Sequence, residues 1–146
     1  MSTVGTPMHS FPYGSRLLVA DDDDEFRDAV ALVLHRAGAH VVEARDGLSA
    51  LDLALSERFD LVLFDLELQN LDAPTLTAAL RSRGVNAPIV AMSAVPRTGE
   101  EQLCRGEGFD GYMSKSVDVE SMLSLLDAVH RRHSNEVLRQ TWPGRG

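Results

Sequence analysis

A doubly wound α/β domain, with one five-stranded parallel sheet covered by helices on both faces, is predicted by three observations. Five short apolar runs (Arg16–Ala20, Val41–Val42, Leu61–Phe64, Pro88–Met92 and Asp110–Met113) are each too short to carry an amphipathic helical stripe. Segments with apolar residues at helical spacing separate them and follow the last. Four of the runs are followed by acid, acid, hydroxyl and amine rather than by a plain turn signal. Alternating strands and helices imply parallel pairing through right-handed crossovers. For five such units the common order is 2-1-3-4-5, with a switch point between strands 1 and 3, an order borrowed from known doubly wound folds.

Residues Met1 to Ser15 carry Gly, Pro, Ser and Thr without periodicity and are expected to form a flexible leader, 1–15. The first strand runs into Asp21-Asp22-Asp23-Asp24-Glu25. From Asp24 to Ala37, Phe26, Val30, Leu34 and Ala37 recur at helical spacing, with an aspartate cap before them and Gly38 after. Val41-Val42 gives the second strand, Asp46-Gly47 a turn, and Leu48, Leu51, Ala54 and Leu55 a second helix.

The stretch Asp60-Leu61-Val62-Leu63-Phe64-Asp65 is the centre of the chain, a strand buried on both faces that stops at a carboxylate. A third helix is expected near Asp72–Arg83, with Pro74 early in it and Gly84 beyond its end. Pro88–Met92 is the fourth strand, closed by Ser93, and the helix within Pro96–Glu107 should be short or labile because of Pro96, Gly99 and Gly106. Asp110–Met113 makes the fifth strand, ending near Lys115. The last helix, Asp118 to about Arg132, carries Val119, Met122, Leu123, Leu126 and Val129 on one face. The folded domain is thus expected over 16–132, with 133–146 a tail or linker.

A chain of 146 residues, 44% apolar and 25% charged, fits one domain with a single core system. Its net charge of −8, with no basic stripe, argues against direct nucleic-acid contact. No apolar run is long enough to cross a bilayer, and no signal-peptide pattern opens the chain. Cys104 has no second cysteine for a disulfide or metal site, so a cytoplasmic setting fits best.

The predicted topology brings Asp21, Asp22, Asp65, Ser93 and Lys115 to the carboxyl edge of the sheet, where open α/β folds bind ligands. Adjacent strands lie about 4.8 Å apart, so the acids after strand 1 must neighbour Asp65. Gathered carboxylates repel unless a positive group intervenes, and an all-oxygen set suits Mg²⁺. A carboxylate can act as nucleophile and form an aspartyl phosphate. Lys115 supplies fixed positive charge and Ser93 a hydroxyl donor, which is most of what phosphoryl transfer requires. Taken singly, each has a plainer meaning: a helix cap, a loop hydroxyl, a surface lysine, or for Tyr112 a core aromatic.

Together, Val19-Ala20-Asp21-Asp22-Asp23, Asp60–Asp65, Pro88-Ile89-Val90-Ala91-Met92-Ser93-Ala94 and Gly108-Phe109-Asp110-Gly111-Tyr112-Met113-Ser114-Lys115 resemble the receiver domain of two-component response regulators, a flavodoxin-like fold. The resemblance spans about Arg16 to Arg132. It implies that Asp65 takes a phosphoryl group from a histidine kinase or histidine phosphotransfer protein, with Mg²⁺ held by Asp22 and Asp65, by Asp21 through water, and by the Glu67 backbone carbonyl. It also implies that Ser93 and Lys115 contact the phosphoryl oxygens and that Tyr112 is the switch aromatic. The surface of the fourth helix, fifth strand and fifth helix would then change its affinity for a downstream effector protein, and is the family's usual homodimer face.

Three positions depart from the family: Gln69 and Ala73 stand where it usually has proline and glycine, and Ser116 where proline follows the lysine. Because a non-proline cis bond costs roughly 2.5–4 kcal/mol, Lys115–Ser116 is expected to be trans. The Glu67 carboxylate is expected to slow phosphorylation or alter hydrolysis. The competing functions are a non-phosphorylated protein-interaction module of the same fold and a small Mg²⁺-dependent phosphohydrolase. The second would need a substrate cap that no segment of the sequence supplies. A receiver of this kind catalyses only its own phosphorylation and dephosphorylation.

Overall fold

The computed structural model describes residues 11, 12 and 14–141. Ten elements alternate: β1 (Arg16–Ala20), α1 (Asp24–Arg36), β2 (His40–Ala44), α2 (Gly47–Ser56), β3 (Leu61–Asp65), α3 (Ala73–Ser82), β4 (Ile89–Ser93), α4 (Glu100–Gly106), β5 (Gly111–Ser114) and α5 (Val119–Thr141). The strands form one sheet in the order β2-β1-β3-β4-β5, every neighbouring pair parallel. This is the order borrowed from known doubly wound folds for five such units.

β3 lies between β1 and β4 and is buried along its whole length. Its side chains alternate between two cores. Leu61 and Leu63 pack with Leu17, Val19, Val90 and Met92 of the neighbouring strands, under Val30 and Leu34 of α1 and Leu126 of α5. Val62 and Phe64 pack on the opposite face with Leu18 and Ile89, under Ala54 of α2, Leu80 of α3 and Cys104 of α4. Both faces are covered, which is why the strand reads as an unbroken apolar run rather than an alternating one. Each such side chain contributes about 1.5–3 kcal/mol by burial.

Aspartates start four of the helices, Asp118 at α5 among them, where it accepts the Ser121 amide at 2.7 Å. Asp23 accepts from the Glu25 and Phe26 amides, Asp46 from the Ser49 amide, and Asp72 from the Thr75 amide. Such caps are typically worth about 1 kcal/mol each. Asp46-Gly47, expected as a turn, is therefore the cap and first residue of α2. α4 is seven residues long and starts from Gly99 at φ 83°, with no side-chain cap. The expectation of a short helix there holds.

At both ends of the expected domain, ordered structure continues past the expected limits. Phe11, placed in the flexible leader, is 7% exposed: its amide donates to the Ala37 carbonyl at 2.9 Å, and its ring meets His130 edge-on. Residues 1–10 and 13 of that leader lie outside the described residues. At the other end α5 continues past Arg132 to Thr141, through the start of the expected tail, and residues 142–146 again lie outside.

The amino-terminal edge of the sheet is tied by two arginines. The Arg16 amide donates to Asp60 Oδ2 at 2.8 Å, and the Arg16 guanidinium pairs with Glu57. Arg81 of α3 donates to the carbonyls of Val85 at 2.9 Å, Ala87 at 2.8 Å and Gly108 at 3.2 Å, and pairs with Asp110 Oδ2 at 2.8 Å. Asp110 also accepts the Ile89 amide at 2.9 Å, so one guanidinium–carboxylate pair joins the loops entering β4 and β5. No helix among the described residues is long and apolar enough to cross a membrane.

Candidate functional site

β1 and β3 are neighbours, with Ala20 paired to Phe64, so Asp21 and Asp65 leave the same edge side by side. Asp21 is fully buried, Asp65 is 4% exposed and Asp22 is exposed. One carboxylate oxygen from each lies within 4.8 Å of the others. Lys115 enters from the far side of the sheet, where its amide donates to the Ser93 carbonyl at 2.8 Å. Its Nζ reaches Asp21 Oδ2 at 2.7 Å and Asp65 Oδ2 at 3.3 Å. The Phe26 ring, on the first turn of α1, lies 4.9 Å from that Nζ, within cation–π range.

Burial pushes the Asp65 carboxyl above the usual carboxylate range, and the charge of Asp21 adds to it; the Glu67 amide and Lys115 pull the other way. Burial works against the charge of Lys115, but Asp21 and Asp65 together outweigh it and hold its ammonium above the ordinary lysine value. The remaining oxygens are only partly satisfied. Asp21 Oδ1 accepts the Asp23 amide at 2.9 Å and Asp65 Oδ1 the Glu67 amide at 3.2 Å. Asp21 Oδ2 is wholly buried and takes no hydrogen bond of good geometry, only the ion pair with Lys115. Two buried carboxylates and one exposed one around a single ammonium leave net negative charge and free hard-oxygen lone pairs, a donor set that fits a divalent cation such as Mg²⁺.

Ser93 ends β4 and is buried, next to β3 in the sheet, where Asp65 pairs with Met92. Tyr112, in β5 opposite Ala91, is partly buried against the core that holds Phe64. Its hydroxyl donates to the carboxylate of Glu100 on the first turn of α4. Glu67 is exposed, and its amide, held by Asp65, bends the chain out of β3. The expected acids, hydroxyl and amine thus all lie on the carboxyl edge of one sheet, with Tyr112 two residues inside the end of β5.

Residues 17–127 match the family described as the response regulator receiver domain. The chain belongs to that family. It is 34% identical over 119 residues to the response regulator MprA from Mycobacterium sp. strain KMS, covering 82% of this chain and 52% of the relative. It is equally 34% identical to the DNA-binding dual master transcriptional regulator RpaA of Synechocystis sp. PCC 6803, covering 80% of this chain and 49% of that protein. The chain therefore spans about half the length of these relatives. Among solved structures, a response regulator from Burkholderia pseudomallei with a phosphorylated aspartic acid, calcium ion and citrate superposes with TM-score 0.71 at 28% identity, covering 88% of this chain and 75% of that one.

Within this receiver domain the acidic run divides its labour. Asp21 and Asp22 face the site, Asp23 caps α1, and Asp24 pairs with Arg27 at 2.8 Å. Sequence reasoning missed Arg27, Phe26 and Glu100 as parts of the site, although an arginine two residues beyond an acidic run was an available signal. It also missed how the β3–α3 loop is held. Asn70, at φ 69°, donates to Asp46 Oδ2 at 2.8 Å, and the Gly47 amide donates to the Gln69 carbonyl at 3.0 Å. The loop with the unusual Gln69 and Ala73 is thus anchored on the start of α2. No peptide bond among the described residues is cis, so Lys115–Ser116 is trans as expected.

Proposed function

We propose that Asp65 accepts a phosphoryl group from a phosphohistidine of a histidine kinase or histidine phosphotransfer protein. The observation that carries this reading is the Asp65 carboxylate at the end of β3, almost buried and sharing Lys115 with Asp21. An Asp65 oxygen would attack phosphorus in line as the phosphorus–nitrogen bond breaks, with imidazole leaving. Lys115 would neutralise the transferring oxygens, and the Ser93 hydroxyl would donate to one of them. Asp22, Asp65 and the Glu67 carbonyl would hold Mg²⁺, with Asp21 acting through water. When bound, the cation supplies charge stabilisation to the displacement. The B. pseudomallei structure, whose description names a phosphorylated aspartic acid and a calcium ion, supports the same class of chemistry.

Phosphorylation would add charge and acceptor oxygens at this edge, drawing Ser93 and Lys115 toward them. Tyr112 would then leave Glu100 and turn inward, changing the α4–β5–α5 surface read by a downstream effector or a second copy of the chain. The chain would catalyse only its own phosphorylation and dephosphorylation, in a cytoplasmic setting. The expectation that it contacts no nucleic acid rests on its charge of −8 and is confined to this chain. RpaA is named a DNA-binding protein, and the chain covers 49% of it. No feature favours the interaction-module alternative, since the acids, Ser93 and Lys115 are all present.

The test incubates the protein with Mg²⁺ and acetyl phosphate and measures intact mass for wild type and Asp65→Asn. A phosphoryl adduct in wild type and none in the variant is expected. An adduct that survives the substitution assigns the acceptor elsewhere.

A further inference from the structure

The most densely bonded side chain beside the acidic site belongs to none of the groups that would touch phosphate or cation. Arg27 of α1 is 11% exposed, and each of its three guanidinium nitrogens has a different partner. Nη1 donates to the Asp21 carbonyl at 2.8 Å, Nε to Glu43 Oε1 on β2 at 2.9 Å, and Nη2 pairs with Asp24 Oδ1 at 2.8 Å. The carbonyl that receives Nη1 belongs to the peptide group joining Asp21 to Asp22. Asp21 is held from the other side as well, because its amide donates to the Ala44 carbonyl at 3.0 Å.

This matters because the two acids depend on different restraints. The Asp21 carboxylate is fixed by burial, by the Asp23 amide and by Lys115. Asp22 is exposed, so the direction of its carboxylate follows from the backbone that carries it. Rotating the Asp21–Asp22 peptide would swing the Asp22 side chain without unpacking any core residue. The group that opposes this rotation is the Arg27 guanidinium, itself braced between α1 and β2 by Asp24 and Glu43.

We infer that Arg27 is a positioning residue for the divalent cation, locking the Asp21–Asp22 peptide so that the Asp22 carboxylate faces Asp65. The inference rests on the cation-assisted reading proposed above. It assigns to Arg27 no contact with phosphate or metal. A lysine cannot take its place, because an ammonium on a flexible stem lacks the planar fork that spans a carbonyl and two carboxylates.

Isothermal titration calorimetry with Mg²⁺ on the 146-residue chain tests this with wild type, Arg27→Gln, Arg27→Lys and Asp24→Asn. Groups that orient metal ligands typically cost about 10–100-fold in affinity when removed. Both Arg27 variants are expected to bind at least about tenfold more weakly, and Asp24→Asn, which spares the bond to the Asp21 carbonyl, to stay within about threefold of wild type. A folded Arg27→Gln protein with wild-type affinity overturns the inference but leaves the cation reading intact. Equal losses in Arg27→Gln and Asp24→Asn also overturn it, by pointing to general charge. A wild type that takes up no Mg²⁺ removes the cation reading and this inference together.

A second readout needs no cation. Hydrogen exchange at the Asp23 amide, which donates to Asp21 Oδ1, should quicken at least about fivefold in Arg27→Gln as the turn opens more often, and unchanged exchange counts against the inference. If Arg27→Gln fails to fold by circular dichroism, Glu43→Gln, which weakens the brace from an exposed position, takes its place. A roughly threefold weaker Mg²⁺ affinity is then expected, and no change overturns the inference.

Discussion

Lys115 Nζ lies nearer to Asp21 than to Asp65, at 2.7 Å against 3.3 Å. In the resting protein its first duty is therefore to neutralise the fully buried acid. Lys115→Met should destabilise the cation-free protein by about 3 kcal/mol, because it strands two buried carboxylates. Urea unfolding with and without about 10 mM Mg²⁺ measures this, and the cation should restore part of the loss by binding only the folded form. A variant as stable as wild type without Mg²⁺ would show that the acids need no internal countercharge.

Burial raises the Tyr112 phenol above its ordinary value of 10.0, and the Glu100 carboxylate raises it further. The folded state keeps this proton where the unfolded chain has released it. Stability from this group should thus be present below pH 10.0 and fall as the pH rises through the folded pKa. In a Tyr13→Phe background, absorbance at the tyrosinate band should follow Tyr112 alone. Adding Glu100→Gln should bring its titration back toward the ordinary value, and an unmoved curve would mean the carboxylate does not engage the hydroxyl in solution.

Gly47 has no room for a side chain. A Cβ built there would sit 1.9 Å from the Leu71 carbonyl oxygen. Gly47→Ala should push the β3–α3 loop off α2, lowering stability by about 2–3 kcal/mol and loosening the Gln69 and Asn70 contacts. Thermal unfolding and amide chemical shifts of residues 66–72 report both effects, which should appear together.

Arg81 joins three carbonyls and Asp110. Arg81→Ala should cost about 2–3 kcal/mol, since it removes a donor from three carbonyls and leaves Asp110 with the Ile89 amide alone. Arg81→Lys should recover less than half. Chemical denaturation gives both values, and full recovery by lysine would reduce the interaction to charge alone.

β1, β3 and β4 were legible because burial on both faces leaves no polar residue inside them, so the run and its end are both sharp. Asp65 was legible for the same reason: a carboxylate that breaks such a run stands out. Arg27 and Arg81 were not, because a guanidinium bonding to loop carbonyls from other elements leaves no periodic trace. Phe11 was hidden because it stands without apolar periodicity in a stretch rich in Gly, Pro and Ser. The end of α5 was misplaced because His133, Ser134 and Asn135 break the apolar stripe without breaking the helix. No glycine or proline occurs between Arg132 and Trp142 to stop it.

The ties made by Arg16 and Arg81 lie at the pole of the molecule opposite Asp65. The scaffold is therefore cross-braced far from its acidic rim. Residues around Asp65, Gln69, Ala73 and Ser116 among them, can change without loosening the joints that keep the strands in register. On the reading proposed above, the phosphoryl chemistry at the rim could then be tuned while the chassis beneath it stays the same.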